Sequence, residues 1–339
     1  MSNFRVNFFK SFIFTFFFIF LIFIHYFSGF NKFVNKNTEY ELVIPCSITD
    51  AKLFFSHKKF FEKFINYSNI VLIGDSIITE LILNETSISF IHEDSLVPKK
   101  KINDFLLKMR NISTDRIGWY EQQFLKMAYS KICKKDYYLI WDMDTIPIKS
   151  YKAFEKNHPF FDMKTEHHIP YFKTIEKLIP GLKFMDRSYI SEHMIIKTEF
   201  MKNLLVQLEL NNKLPGNLFW EKILMSIDAQ DMNFSGFSEY ETYGTYVDSK
   251  YPYTYRHRNW FSLREAKAYF GDSENLNKDD LNWLSKCYQS LSFEKFSEFN
   301  MEYLEIATNS KIQKLYKSNF VFNNFKKIFK KYKGPISSK

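Results

Sequence analysis

The most chemically suggestive residues in the sequence are the two carboxylates of Asp142-Met143-Asp144. They directly follow an apolar run at 137–141, which predicts a buried strand. Carboxylates at that point have little use in an apolar layer, but they are hard oxygen ligands suited to Mn²⁺ or Mg²⁺ together with phosphate oxygens. We therefore predict a divalent-metal site at Asp142 and Asp144. A strand-terminating turn capped by Asp is the alternative, since a chain of this length contains about one such triplet by chance.

His193 lies in a strand-like run at 189–196. A single histidine there is most often a satisfied core residue, and its functional interpretation is an acceptor contact or a general base, with Glu192 as the alternative. The segment 236–244 is polar, aromatic and bounded by glycines, which favours a loop that approaches a ligand. Glu239 and Glu241 are its candidates for a catalytic base, and its tyrosines could stack on sugar rings: Tyr240, Tyr243 and Tyr246.

Aromatic residues alternate with basic ones at 251–258. If this run is a strand, Tyr251, Tyr253, Tyr255 and His257 point one way and the two arginines the other. Arg256 and Arg258 are candidates for a diphosphate contact, because a guanidinium binds phosphate bidentately. His257 is a candidate metal ligand.

The elements that must position these residues alternate between strands and helices. Apolar runs predict strands at 41–45, 70–73, 87–91 and 137–141. Helical patterns occur at 50–66, 119–132, 198–211, 216–227, 277–288 and 292–308. This alternation predicts an α/β fold with a mixed, mostly parallel sheet flanked by helices. In such sheets ligands bind beyond the carboxyl ends of the strands, which is where the triplet lies.

The two ends of the chain differ from its body. Residues 11–30 carry no formal charge and would span about 30 Å as a helix, which predicts a single-pass membrane anchor; a cleaved signal peptide and a buried core helix are the alternatives. The net charge is +9, but residues 311–339 hold nine lysines and no acid, so the remainder is balanced. This distribution argues against nucleic-acid binding by the core and suits contact of an amphipathic tail with a membrane.

We therefore divide the chain into an anchor with a short stem at 1–38, a catalytic domain at 39–308 and a basic amphipathic tail at 309–339. Cys46, Cys133 and Cys287 show neither zinc spacing nor a disulfide framework. The basic residues on the two sides of the anchor nearly tie, so the side of the membrane stays open. A Golgi-type lumenal site is expected in a eukaryote, and the inner membrane or its cytoplasmic face in a bacterium.

The run W-D-M-D-T-I-P, preceded by a strand and a helix, resembles the nucleotide-sugar half of GT-A-type glycosyltransferases, whose domain is Rossmann-like. Further runs resemble a little-characterised group of GT-A-like proteins, and together they cover about residues 41–262. These runs are I-P-C-S at 44–47, G-W-Y-E-Q-Q-F-L-K at 118–126, E-H-M at 192–194 and G-F-S-E-Y-E-T-Y-G at 236–244. The chain lacks the C-terminal H-x-x-G-x-x-K-P-W run of the glycogenin-like family.

The resemblance implies that Asp144 binds the metal and that Asp142 holds the metal or the ribose. It also implies that the helix opening at Trp119 touches the nucleotide, with Gln122 and Lys126 together at i, i+4 on one side of the helix and Lys126 on the diphosphate. The implied activity is hexosyl transfer from a nucleotide sugar to a glycan or lipid-linked acceptor at a membrane. The donor, the acceptor and the stereochemistry stay open.

Two other functions remain as alternatives. A sugar-nucleotide nucleotidyltransferase usually carries a glycine-rich loop after its first strand, and residues 45–49 contain no glycine. A catalytically inactive, membrane-tethered sugar-binding protein would bind a nucleotide sugar without releasing its nucleotide.

Overall fold

The computed structural model describes residues 38–109 and 114–294. Its strands are β1 (Tyr40–Pro45), β2 (Ile70–Gly74), β3 (Ile88–His92), β4 (Tyr137–Trp141), β5 (Thr145–Pro147), β6 (Phe154–Glu155), β7 (His158–Met163), β8 (His193–Lys197), β9 (Arg256–Asn259), β10 (Ser262–Leu263) and β11 (Ser290–Ser292). Its α-helices are α1 (Ile48–Phe64), α2 (Ile78–Leu81), α3 (Lys99–Asp104), α4 (Thr114–Ala128), α5 (Ile169–Leu178), α6 (Thr198–Leu210), α7 (Phe219–Ser226), α8 (Glu239–Lys250), α9 (Ala266–Phe270) and α10 (Lys278–Leu284).

The main sheet has five strands in the order β3-β2-β1-β4-β8. The first four run parallel, and β8 pairs antiparallel with β4 so that Trp141 lies opposite His193. Strands β1, β2 and β4 are almost wholly buried, as expected for apolar strands covered on both faces. The predicted mixed, mostly parallel sheet with flanking helices is confirmed, and the triplet lies at the carboxyl end of β4.

The turn from β1 into α1 has a capping box. Ser47 caps the helix, its hydroxyl accepting from the Asp50 main-chain N–H, and the Asp50 carboxylate accepts from the Ser47 main-chain N–H at 3.2 Å. Gly74, at the end of β2, lies so close to the neighbouring turn that a Cβ there would stand 2.4 Å from the Cys46 carbonyl oxygen. The carboxyl edge of the sheet is therefore tightly closed at β1 and β2.

Two small sheets support the region after the triplet. Strand β5 pairs with β11, and β11 with β10, while β7 pairs with β6 and β9. The first of these sheets brings the end of the described chain to the triplet, because the Phe293 N–H donates to the Asp144 carbonyl at 2.7 Å.

Three expectations about elements were wrong. The predicted loop at 236–244 is the start of α8, capped by Ser238 and buried along its first nine residues. The predicted strand at 251–258 begins only at Arg256, because Tyr253 has a left-handed backbone with φ of 66°. The helix predicted from 292 overlaps β11 at its start, and its remainder from 295 lies outside the described residues.

The predicted anchor at 11–30 and the basic tail at 309–339 also lie outside the described residues. In the parts that are described, 38–109 and 114–294, we find no helix with the length and apolar character needed to cross a bilayer. All three cysteines are free; Cys46 and Cys133 are buried and Cys287 is half-buried.

Candidate functional site

The main chain of the Asp142-Met143-Asp144 triplet is fixed by hydrogen bonds at each residue. All three carbonyl oxygens accept, and the Asp142 N–H donates to the Glu192 carbonyl at 2.9 Å. The donors to the carbonyls are the Thr145 N–H for Asp142 at 3.0 Å, His57 Nδ1 for Met143 at 2.9 Å and the Phe293 N–H for Asp144 at 2.7 Å. These bonds hold the main chain of the triplet in a defined conformation.

Lys126, from the last turn of α4, is the cationic centre beside the triplet. Its side chain is 3% exposed, and its ammonium donates to Asp142 Oδ1 at 2.5 Å and to Glu239 Oε1 at 2.7 Å. The Tyr240 hydroxyl also donates to Asp142 Oδ1, at 3.1 Å. Burial acts against the charge of Lys126, but the two carboxylates outweigh it and raise its pKa. Lys126 therefore forms ion pairs with both Asp142 and Glu239.

The carboxyl group of Asp144 resists ionisation. Burial raises the pKa of Asp144 to about 7, with the charges of Asp142, Glu294 and Glu192 adding to the effect. Asp144 Oδ1 accepts from the Thr145 hydroxyl at 3.3 Å. A divalent cation would relieve this repulsion, and hard carboxylate oxygens fit Mn²⁺ or Mg²⁺.

Within the described residues, no three His, Cys, Asp or Glu side chains converge as a complete set of metal ligands. Mg²⁺ usually binds through one or two carboxylates with substrate phosphates and water. Asp142 and Asp144 thus fit a metal that a phosphate-bearing ligand would help to hold. Their metal-binding role stays a prediction.

Glu192 lies on the other side of the triplet in a strained backbone conformation. Its φ is 63°, which for a residue other than glycine costs on the order of 1–3 kcal/mol. Its Oε1 forms ion pairs with Lys164 and, at 3.5 Å, with Arg264, while its Oε2 is buried without a hydrogen-bond partner. Arg264 also contacts Glu294 at 2.9 Å. A polar cluster thus extends from Asp144 through Glu192 to Arg264.

The structure places His193 in the core. Its ring is completely buried, Nδ1 lies 2.7 Å from the Ser191 carbonyl and Nε2 lies 2.9 Å from Asp162 Oδ2. This is the position of a satisfied core histidine, which the sequence also favoured, and a catalytic role of His193 stays a prediction. The alternative at this position, Glu192, is the residue that borders the triplet.

The two arginines predicted to bind a diphosphate have other partners. Arg256 forms an ion pair with Glu155 across the edge of the small sheet. Arg258 binds the buried Asp162 carboxylate through two nitrogens, with NH2 to Oδ2 at 3.0 Å. Since neither side chain joins the triplet, the structure does not support the predicted contact.

His257 likewise does not join Asp142 and Asp144 as the predicted metal ligand. Its Nε2 pairs with Asp248 Oδ2 at 2.7 Å, near the carboxyl end of α8. Its ring contacts those of Phe161 and Tyr189. Neighbouring residues of a strand point to opposite faces of the sheet, so His257 points away from the face on which Arg258 binds Asp162.

The other candidates on α4 lie before Lys126. Gln122 is half-buried one turn earlier. Trp119 is half-buried two turns earlier, with the Arg116 guanidinium 4.0 Å from its ring. Their nucleotide contacts stay predictions. The neighbouring Gln123, which the sequence did not single out, accepts from the Glu239 N–H at 3.1 Å and so ties α4 to α8.

Glu241 and the tyrosines of α8 are buried rather than exposed to a ligand. Glu241 is 1% exposed; its Oε2 accepts from the Ser188 hydroxyl at 2.9 Å and from the Tyr189 N–H at 3.2 Å. Burial raises the pKa of Glu241 to about 7. The tyrosines predicted to stack on sugars lie in the core: Tyr240, Tyr243 and Tyr246. The catalytic roles of Glu239 and Glu241 are untested, and only Glu239 contacts the triplet's partners.

Several residues of this region escaped sequence reasoning. Lys164, Arg264, Glu294 and His57 stand in segments without a motif, so no local pattern could have marked them. Gln123 lies inside the G-W-Y-E-Q-Q run, which marked the neighbourhood but not the residue.

Comparisons with known proteins identify the family of this chain and several similar solved structures. A sequence profile of the family of unknown function DUF6492 matches residues 43–324. No curated protein sequence is significantly similar. Similar solved structures include the galactosyltransferase LgtC in complex with donor and acceptor sugar analogs. The two sequences are 10% identical, the match covers 79% of this chain and 95% of that chain, and the TM-score is 0.38.

Two further similar structures are also glycosyltransferases. GlyE of Streptococcus pneumoniae TIGR4 is 12% identical, with 83% of this chain and 64% of that chain covered and a TM-score of 0.33. The mannosyltransferase Ktr4p of S. cerevisiae is 11% identical, with 61% and 64% covered and a TM-score of 0.35.

Proposed function

We propose that this chain, which belongs to the family of unknown function DUF6492, is a metal-dependent glycosyltransferase that uses a nucleotide-sugar donor. The observation that carries the proposal is the carboxylate pair Asp142 and Asp144 at the carboxyl end of β4, with the pKa of Asp144 raised to about 7. Ligands of α/β sheets bind at this edge. The proposal also rests on the resemblance of the surrounding runs to GT-A-type enzymes.

The charge of the site supports the need for a cation. Three carboxylates lie around the two of the triplet, and these five groups have three cationic partners: Asp142, Asp144, Glu192, Glu239 and Glu294, against Lys126, Lys164 and Arg264. A diphosphate entering this acidic site alone would be repelled. A divalent cation on Asp142 and Asp144 would bind the diphosphate and stabilise its charge as it departs.

The chain's own residues supply the remaining functions. Lys126 holds one oxygen of Asp142 and leaves the other free for a ligand. We propose that Glu192, with its unpartnered Oε2 and its left-handed backbone, meets the acceptor hydroxyl and takes its proton. Lys164 and Arg264 pair with Glu192 Oε1 and would hold the side chain in place for this role.

The structure weighs against a nucleotidyltransferase. In many α/β proteins a phosphate binds at the N-terminus of the helix after the first strand. Here the Asp50 carboxylate of the capping box already occupies the first turn of α1 and would repel it.

We also propose that the enzyme acts at a membrane on a glycan or lipid-linked acceptor. The apolar run at 11–30 and the basic segment at 311–339 support this localisation.

The experiment is binding of UDP and GDP to the full chain in detergent, by calorimetry, with MnCl₂ or with EDTA. We expect binding with manganese only, and its loss in Asp144→Asn but not in the control Asp279→Asn, whose carboxylate is exposed on α10. Equal binding by Asp144→Asn without manganese would refute the metal role.

A panel of nucleotide sugars, read by released nucleoside diphosphate with manganese present, then separates the enzyme from an inactive sugar-binding protein. Nucleotide binding without release from every donor would favour the inactive protein.

A further inference from the structure

A buried ion cluster lies directly behind the triplet. Arg258 binds the Asp162 carboxylate through two nitrogens, and the same carboxylate faces His193 Nε2 at 2.9 Å. The other ring nitrogen of His193 lies 2.7 Å from the Ser191 carbonyl oxygen. His193 and Asp162 are 0% and 4% exposed, so water screens the contact between these two side chains very little.

The hydrogen-bond partners define the charge of the His193 ring. A carbonyl oxygen can only accept, and so can an Asp162 carboxylate that Arg258 keeps ionised. Both ring nitrogens thus face atoms that accept, an arrangement that a proton on each nitrogen would satisfy. The ring also lies between two indoles, with centroids 4.3 Å from Trp141 and 4.4 Å from Trp260, where a cation is favoured.

The same ring closes the turn that carries Glu192. The Ser191 carbonyl accepts from His193 Nδ1, and the Ser191 hydroxyl donates to the His193 carbonyl at 2.7 Å. Between them Glu192 is held at φ of 63°, and its carbonyl accepts from the Asp142 N–H at 2.9 Å. A strained backbone conformation persists where the surrounding residues fix it. The two hydrogen bonds between Ser191 and His193 join the residues on either side of Glu192 and so fix its conformation.

We propose that His193 is a buried imidazolium which acts as a positioning residue: with Asp162 and Arg258 it holds the turn at 191–193, so that Glu192 and the main chain of Asp142 stay in place. Its effect on nucleotide binding rests on the function proposed above, whereas its charge does not.

The charge is tested by nitrogen NMR of the full chain in detergent, labelled with ¹⁵N-histidine, at pH 7.5. His57 is an internal reference, because burial lowers its pKa to about 4 and only its Nδ1 has a partner, the Met143 carbonyl. We expect protons on both nitrogens of His193 and on one nitrogen of His57. A single protonated nitrogen at His193 overturns the proposal, even if no variant of it folds.

The positioning role is tested by Mn²⁺-dependent UDP binding. We expect His193→Gln to weaken binding about tenfold and His193→Lys, which keeps a cation beside Asp162, to recover most of that loss. The control is His158→Gln, on the same strand as Asp162, where a half-buried ring makes a 3.2 Å contact with the Thr254 carbonyl.

Equal binding by wild type and a folded His193→Gln, with native near-UV circular dichroism, overturns the positioning role. So does equal loss in the Gln and Lys variants. If the wild type binds neither UDP nor GDP with manganese, the proposed function fails, and the NMR result still decides the charge of His193.

Discussion

Replacing Lys126 by methionine should destabilise the protein more than any loss of a surface charge. The substitution removes the ammonium that lies 2.5 Å from Asp142 and 2.7 Å from Glu239 and leaves a side chain of similar length. The Glu239 side chain is 4% exposed, so its unpaired carboxylate cannot be hydrated, whereas the Asp142 side chain, at 24%, partly can. Breaking a buried pair by removing one partner costs about 3–5 kcal/mol, and we expect that loss for Lys126→Met.

The assay is urea unfolding of the full chain in detergent, followed by tryptophan fluorescence. The control is Lys131→Met, just beyond α4, whose ion pair with Glu209 at 3.0 Å is exposed and should be worth less than about 1 kcal/mol. Adding Glu239→Gln to Lys126→Met removes the stranded charge, so the double variant should recover about 1–3 kcal/mol of the free energy of unfolding.

Two results would refute this reasoning. One is a loss in Lys126→Met no larger than in Lys131→Met. The other is additive losses for Lys126→Met and Glu239→Gln, which would mean that the two charges do not interact.

Two further predictions concern α8. A Cβ at Gly244 would stand 2.2 Å from Cγ of Tyr189, so Gly244→Ala should lower the free energy of unfolding by about 1–3 kcal/mol. At Gly118 on α4 a Cβ meets nothing within 4 Å, so the control Gly118→Ala should raise the free energy of unfolding by about 0.5–1 kcal/mol. Equal effects of the two substitutions in urea unfolding would contradict this prediction. The pKa of Glu241 is raised to about 7 from an unfolded value near 4.5, so between these pH values the folded state binds more protons than the unfolded state, and its stability falls as the pH rises. Between pH 5 and 8 the free energy of unfolding of the wild type should fall by about 2–3 kcal/mol more than that of Glu241→Gln. Parallel pH profiles of the two proteins would exclude the effect.

The parts of the fold that sequence could predict are those in which local pattern and burial agree. The strand predicted at 137–141 is β4 without change, and that at 70–73 is β2 less its final glycine. A short apolar run that ends at charged or glycine residues is typical of a strand in a sheet covered on both faces, because burial there removes all its side chains from water. The triplet could be placed for the same reason, because it follows such a run.

The parts that could not be predicted depend on tertiary contacts. Helix α8 has no apolar stripe; it is buried on all sides by satisfying its polar groups, such as Glu239 with Lys126 and Glu241 with Ser188. The pairing of Glu239 with Lys126 joins residues 113 positions apart, so spacing carries no signal of it. The sequence allows His193 to be a core residue or a catalytic one, and its core partner Asp162 stands in a strand that no sequence pattern marks.

The hydrogen bonds on the triplet's main chain have a consequence for the entropy of binding. Ordering the backbone of one residue costs about 1–2 kcal/mol in lost conformational freedom, and here folding has already met that cost at Asp142, Met143 and Asp144. A cation entering this site should therefore bind with little loss of chain entropy.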